Sequence, residues 1–413
     1  MLTVRSLLGE GSAVLSRRNF QILLLANLLG PLGFALLSPV LDSLVDPLGA
    51  SPATVGLLIS AYSAPSVAMI PIIGVLGDLY GRKPVLLVSL VGYGVAGAAI
   101  ALTSTFTAAL GLRFVQGVFY GGLTPIIITA IGDLYAETEE ATAQGLRFTS
   151  SGISTTVFPL LAGLLVGIAW QAPFLIYALA IPVAVATYFW FEEPARQSRT
   201  DAPRRSRLGY LRELFGLLRQ RRLSAMVLAR GLGTAVWLAF LTYNSLVVVR
   251  LYGGTPGQAG LLFAVASVGL SVASSQAGRV SATFDTWVYP LVGANAVYLT
   301  GAILLIFSPI LPIAVLGVAL IGLAFGLMLS LYRSMITQIV PQSHRAGIVS
   351  AAESVGRLFD TMTPVVIGGL LALASATLGV DMALQLTLLG FIAGGTIIGS
   401  VALVVVSTAP PLD

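Results

Sequence analysis

Apolar residues run in blocks of about twenty, separated by short polar stretches, from residue 19 almost to the C-terminus. A block of that length crosses about 30 Å of hydrocarbon as an α-helix. Twelve such helices are expected, roughly at 19–41, 53–76, 84–104, 107–131, 146–167, 171–191, 223–249, 256–278, 287–308, 311–334, 346–375 and 381–407. A soluble core can hide a few runs of this kind, but not twelve joined by loops this short. The pattern therefore predicts an all-α membrane protein with 12 transmembrane helices. Apolar residues make up 56% of the 413 and charged residues only 9%, so each charge inside a span carries information.

The polar stretches are not equivalent. Arg5, Arg17, Arg18, Arg82, Lys83, Arg147, Arg279, Arg345 and nine arginines in 196–222 all fall on one side of the twelve-span order, and Arg250 stands alone on the other. Lys and Arg concentrate in cytoplasmic loops, which puts both termini in the cytoplasm. The net charge of +5 thus reports topology. Nucleic acid is not an expected partner; acidic lipid headgroups are, near the run Arg204-Arg205-Ser206-Arg207. The absence of cysteine excludes disulfides and thiol chemistry. A single histidine, His344, leaves no histidine-based metal site or catalytic triad, so neither a metal, a cofactor nor an enzyme is expected. The first span has no small-residue cleavage site behind it and reads as a retained helix, not a signal peptide.

The stretch 193–222 breaks the pattern with Glu192-Glu193-Pro194 and then Arg, Ser, Asp and Pro. It divides six spans from six: an N-terminal bundle 1–192, a basic cytoplasmic linker 193–222 and a C-terminal bundle 223–413. The halves match at a near-constant offset. Gly56-Leu57-Leu58 aligns with Gly260-Leu261-Leu262, Gly74 with Gly278, Gly117 and Gly121 with Gly322 and Gly326, and Pro159 and Gly163 with Pro364 and Gly368.

Between the second and third spans lies Gly74-Val75-Leu76-Gly77-Asp78-Leu79-Tyr80-Gly81-Arg82-Lys83, an unusual concentration of charge for this chain. The run resembles the signature loop of the major facilitator superfamily, G-x-L-A-D-R-x-G-R-K. Gly74, Leu76, Asp78, Gly81, Arg82 and Lys83 match; Gly77 replaces the usual Ala, and Leu79 a usual basic residue. The corresponding run of the second half, Gly278 to Asp285, has no acid at the Asp78 position. The resemblance implies two pseudo-symmetric six-helix bundles repeating in parallel about an axis normal to the membrane, with substrate bound near the midplane between them. It also implies a conformational latch: Asp78 facing the positive start of the eleventh helix, and Asp133 placed to pair with Arg82. The alternative is an interfacial charge cluster that only anchors the loop.

Arg113, three residues before Gln116-Gly117, resembles a second motif of the superfamily, seen in the fourth helix of proton-coupled members. A charge at membrane depth costs about 2.5–3.5 kcal/mol on insertion scales and needs a partner or a wet cavity. The alternative is an arginine that snorkels outward. Pro159 and Gly163 resemble the fifth-helix antiporter motif G-P-x-x-G-G with two glycines replaced. Leu37-Ser38-Pro39-Val40 resembles the twelve-helix drug:proton antiporter branch.

One signal owes nothing to resemblance. Glu353, Arg357 and Asp360 are spaced i, i+4, i+7, on a single stripe of the eleventh span. Arg357 pairing with both acids makes either a structural ion network or a proton-coupling site with Asp360 as its first candidate. In the implied fold, helices 1, 4, 7 and 10 line the path. Asn27, Phe34, Tyr120, Trp237, Tyr243, Asn244 and Phe325 are the polar and aromatic residues they can present. Arg230 and Arg333 read as interfacial, with Arg230 able to reach the path. The expected function is alternating-access secondary transport by a monomer, energised by a proton gradient, exporting small molecules, lipophilic or drug-like ones among them, across the cytoplasmic membrane. Import of a small anion is the alternative; a channel or a transport-dead receptor is the different class.

Overall fold

The structure, a computed structural model, describes residues 11–194, 216–284, 286–308, 310–340 and 345–410. His344, Arg5, Asp285 and the linker run Arg204-Arg205-Ser206-Arg207 lie outside the described residues. Among the described residues twelve helices are long and apolar enough to cross a membrane. They are α1 Arg18–Val40, α2 Leu57–Tyr80, α3 Arg82–Leu102, α4 Phe106–Leu134, α5 Glu137–Leu165 and α6 Ala172–Trp190. The remaining six are α7 Arg221–Leu251, α8 Pro256–Thr283, α9 Val288–Phe307, α10 Leu311–Ile336, α11 Ala351–Leu378 and α12 Val380–Thr408.

The helix boundaries differ from hydropathy where charge supports a helix that apolarity does not. α5 begins at Glu137 instead of near 146, with Glu137, Glu139 and Glu140 in its first turn. Carboxylates there meet the positive end of the helix dipole. Arg147, counted among the loop cations, consequently lies inside α5 and is buried. α11 continues a helix that starts at Arg345. α7 ends in a π turn, Val247–Leu251.

α1 is the least regular span. Its helix stops at Leu29, resumes for Leu32–Ala35 and closes in a 3-10 turn, Ser38–Val40. Pro31 and Pro39 stand at the two breaks, where a residue without an N–H cannot continue the ladder.

The chain divides into two compact units, one formed by Met1–Ser51 and Leu57–Ser198, the other by Pro52–Gly56 and Arg199–Asp413. The short segment 52–56 thus belongs with the second unit, whereas the sequence places it in the N-terminal bundle. In the first unit α4 packs on α2 through glycine: a methyl group on Gly117 would lie 2.1 Å from the carbonyl of Tyr62. In the second unit α10 packs on α8 by the same device, with Gly322 and Gly326 facing the carbonyls of Ala266 and Leu270 at 2.1 and 2.3 Å. Small residues let helix backbones approach closely where lipid supplies no hydrophobic drive. The glycine repeat seen along the chain is therefore one packing contact, used once in each unit.

Candidate functional site

The charged loop between α2 and α3 is organised around Arg82. Its Nη1 lies 2.8 Å from Asp78 and its Nε 2.9 Å from Asp133 of α4. A further acid, Glu193, completes the group. Its carboxylate accepts from the backbone N–H groups of Arg82 and of Lys83, the latter at 2.7 Å. Those are among the donors that a helix start leaves unpaired, so Glu193 caps α3 and meets its dipole. Gly81 makes this possible. It holds a φ of +99°, and a Cβ there would sit 2.7 Å from Glu193 Oε1. The Lys83 ammonium lies 6.0 Å from the Tyr188 ring centre. A Cβ on Gly74 would meet open space.

Arg113 is fully buried in α4 and does not snorkel. Nε donates to Leu58 O at 3.1 Å, Nη2 to Gly33 O at 2.7 Å, and Nη1 to Gln116 Oε1 at 2.7 Å and to Tyr177 OH at 3.3 Å. The guanidinium also lies 4.2 Å from the centre of the Tyr62 ring. Those partners are all neutral. One belongs to the broken span, Gly33 O, and a second, Tyr177 OH of α6, donates in turn to Leu32 O of that span at 3.1 Å. Tyr93 OH donates to Leu29 O at 3.0 Å and Ser154 Oγ to Leu28 O at 2.8 Å. Irregular backbone at membrane depth needs such partners because lipid offers none.

On α11 the stripe of charges also has partners on other helices. Glu353 pairs with Arg230 of α7 at 2.6 Å and lies 3.8 Å from Arg333 of α10. Arg357 and Asp360 stand within electrostatic range of this pair. Arg230 is therefore no interfacial residue; it is buried and ties α7 to α11.

The remaining expected path residues divide into two groups. Asn27 donates to Arg147 O, Ser150 Oγ and Ser151 Oγ at 2.9, 2.7 and 2.9 Å, which binds α1 to α5. Tyr243 OH donates to Pro364 O at 3.4 Å and Asn244 Nδ2 to Ala259 O at 2.8 Å, so both serve helix contacts. Pro159 and Gly163 are buried within α5. The aromatic residues form stacks. Tyr120 lies on Tyr62 with centres 4.8 Å apart, and Phe34 meets the same ring edge-on at 5.3 Å. In the second unit Trp237 and Phe325 are parallel at 4.4 Å.

The sequence profile of the Major Facilitator Superfamily matches residues 23–361, most of the chain. The chain belongs to the Major Facilitator Superfamily. It is accordingly a multi-pass membrane transporter of small molecules and not an enzyme. Superfamily relatives include the bacillibactin exporter of Bacillus subtilis, 35% identical over 150 residues, which are 35% of this chain and 37% of that protein. The chain thus matches little more than a third of that relative's length. Multidrug resistance protein MdtL of Escherichia fergusonii is 25% identical over 80% of this chain and 83% of its own. Among solved superfamily structures, a bacterial homologue of the human lysosomal transporter Spinster superposes with a TM-score of 0.79 at 18% identity, covering 95% of this chain and 96% of that one.

Within this superfamily member, sequence reasoning missed the roles of Glu193, Tyr62, Tyr93 and Tyr177, and it named Arg230 without its partner Glu353. Mid-span tyrosines were the available signal, since a buried hydroxyl demands a partner. Glu193 had none, because its role exists only once the end of α6 returns to the start of α3.

Proposed function

We propose that this transporter is a proton-coupled exporter of small, lipophilic molecules. It works as a monomer in the cytoplasmic membrane with both termini in the cytoplasm, and uses the proton gradient without a cofactor. The bundles 1–192 and 223–413 are the moving parts, rocking about a central substrate path. The observation that carries the reading is the ion cluster of the second unit, where Glu353 is held by Arg230 at 2.6 Å with Arg333, Arg357 and Asp360 around it. Arg230 is buried within its span, and ionisable groups within spans mark ion pathways and proton relays. Asp360 is the proton carrier in this scheme, and Glu353 and Arg357 are the groups whose pairing its protonation changes. Arg113 holds α1 against α4 around the path. The names of the relatives, an exporter and a multidrug resistance protein, support the outward direction.

Purified chain in liposomes, given an imposed pH gradient, is expected to accumulate a lipophilic fluorescent dye against its gradient. Asp360→Asn is expected to abolish the gradient-driven accumulation while downhill dye flux persists. Accumulation with unchanged pH dependence in that variant would remove Asp360 from the mechanism.

A further inference from the structure

In the turn before α2, packing departs from chain order. Segment 52–56 belongs with the second unit, while Ser51 before it and Leu57 after it belong to the first. Its seat is made by glycine at two points. On α11, a Cβ added to Gly368 would overlap the carbonyl oxygen of Ala53. On the segment itself, a Cβ on Gly56 would lie 3.0 Å from Thr242 Cγ2, 3.2 Å from Tyr243 OH and 3.4 Å from Pro364 Cβ. The segment therefore rests against both α7 and α11. Tyr243 OH, donating to Pro364 O at 3.4 Å, ties those two helices together there. Val55, Thr242 and Tyr243 are fully buried.

A seat of this kind can be released. Backbone laid on glycine is held by dispersion and Cα–H···O contacts, each individually weak. It is also two-state, because close-packed contacts separate or stay closed and do not stretch. Both flanks of the segment belong to the first unit, so it cannot stay on α7 and α11 while the bundles rock.

We infer that segment 52–56 is a strap. Seated on α7 and α11 it holds the carrier closed on the outer side, and it lifts from Thr242 and Gly368 in each transport cycle. The inference rests on the rocking-bundle reading and on cytoplasmic termini, which put the turn between α1 and α2 outside.

The chain has no cysteine, so introduced thiols report without background. Thr242→Cys, covered by the seated segment, is expected to react slowly with a membrane-impermeant maleimide in right-side-out membrane vesicles. Adding Gly368→Ala spoils the seat and is expected to speed labelling at least about tenfold, the order of shift that overpacking a close contact produces. Gly369→Ala, where a Cβ would meet open space, is expected to leave the rate unchanged. Equal rates in the two alanine variants would overturn the inference.

A cross-link guards against Gly368→Ala acting through loss of the fold. The pair Gly56→Cys and Thr242→Cys stands within reach of a disulfide, whose Cβ atoms lie about 3.5–4.5 Å apart. Oxidation with copper phenanthroline is expected to link the pair and stop dye flux in liposomes, and dithiothreitol to restore the flux. No cross-link, or full flux while cross-linked, would overturn the strap. The expected labelling ratio in inverted vesicles, with no labelling in right-side-out ones, would overturn the cytoplasmic placement of the termini. The same ratio with no dye flux by the unsubstituted chain would overturn the exporter reading alone.

Discussion

The guanidinium of Arg113 donates to the carbonyl of Gly33 at 2.7 Å, so a charge buried in α4 and a break in α1 satisfy one another. Replacing Arg113 by Leu strands the carbonyl of Gly33 and the amide of Gln116, each costing about 1–3 kcal/mol when buried without a partner. The melting temperature in detergent is expected to fall by several degrees. Arg113→Lys is expected to recover less than half of the loss, because a single ammonium cannot match the planar fork that reaches Leu58, Gly33 and Gln116 together. A lysine variant as stable as the wild type would show that the fork geometry is immaterial.

Gly33 is constrained from its other side as well. A Cβ at 33 would lie 2.0 Å from Tyr62 Cζ, whereas one at Gly30 meets nothing nearer than 3.5 Å. Gly33→Ala is expected to cost about 1–3 kcal/mol by overpacking. Gly30→Ala should be nearly neutral, and a thermal melt of the two variants side by side checks the ranking.

In the α2–α3 loop, Glu193 is expected to matter more to local order than Asp78. The Asp78 side chain is 56% exposed, and exposed ion pairs contribute roughly 0–1 kcal/mol. Glu193 serves two backbone donors at a helix start, a capping role worth about 0.5–2 kcal/mol. Hydrogen–deuterium exchange should show the first turn of α3 opening faster in Glu193→Gln and Gly81→Ala, with little change in Asp78→Asn. If the latch implied by the resemblance operates, Asp78→Asn should instead shift the inward–outward balance measured by double electron resonance.

The ion cluster makes an asymmetric prediction. Removing Glu353 leaves Arg230, Arg333 and Arg357 with Asp360 as the one acid named in the cluster, whereas removing Arg230 leaves Glu353 with two arginines near it. Glu353→Gln is therefore expected to destabilise more than Arg230→Gln. The double variant should melt above Glu353→Gln alone, since removing one partner of an ion pair is costlier than removing both. Equal melting of the two single variants would argue that the cluster is screened by solvent.

Much of this transporter was legible in the chain before any coordinate. Twelve apolar blocks, the glycine repeat at Gly117, Gly121, Gly322 and Gly326, and the Gly74–Lys83 run are local patterns, and local patterns survive without knowledge of the fold. The Asp133–Arg82 pair was legible because both residues lie next to the ends of neighbouring helices. Arg147 was misplaced because hydropathy cannot see a helix that starts in a charged stretch. Asn27, Tyr243 and Asn244 were read as able to line the path; the hydrogen bond each makes to a neighbouring helix was not legible, since one sequence does not phase a helical face.

The linear order of residues determined the spans, their number and the two-fold repeat, because lipid admits only segments whose backbone is satisfied internally and whose side chains are apolar. Tertiary structure alone decided the partner of each buried polar group. That Glu353 meets Arg230, where the donors of Arg113 went and what Glu193 capped depended on which helices lie side by side. Hydrogen bonds and ion pairs act over a few ångströms between groups distant in sequence. Composition requires such partners to exist; only packing chooses them.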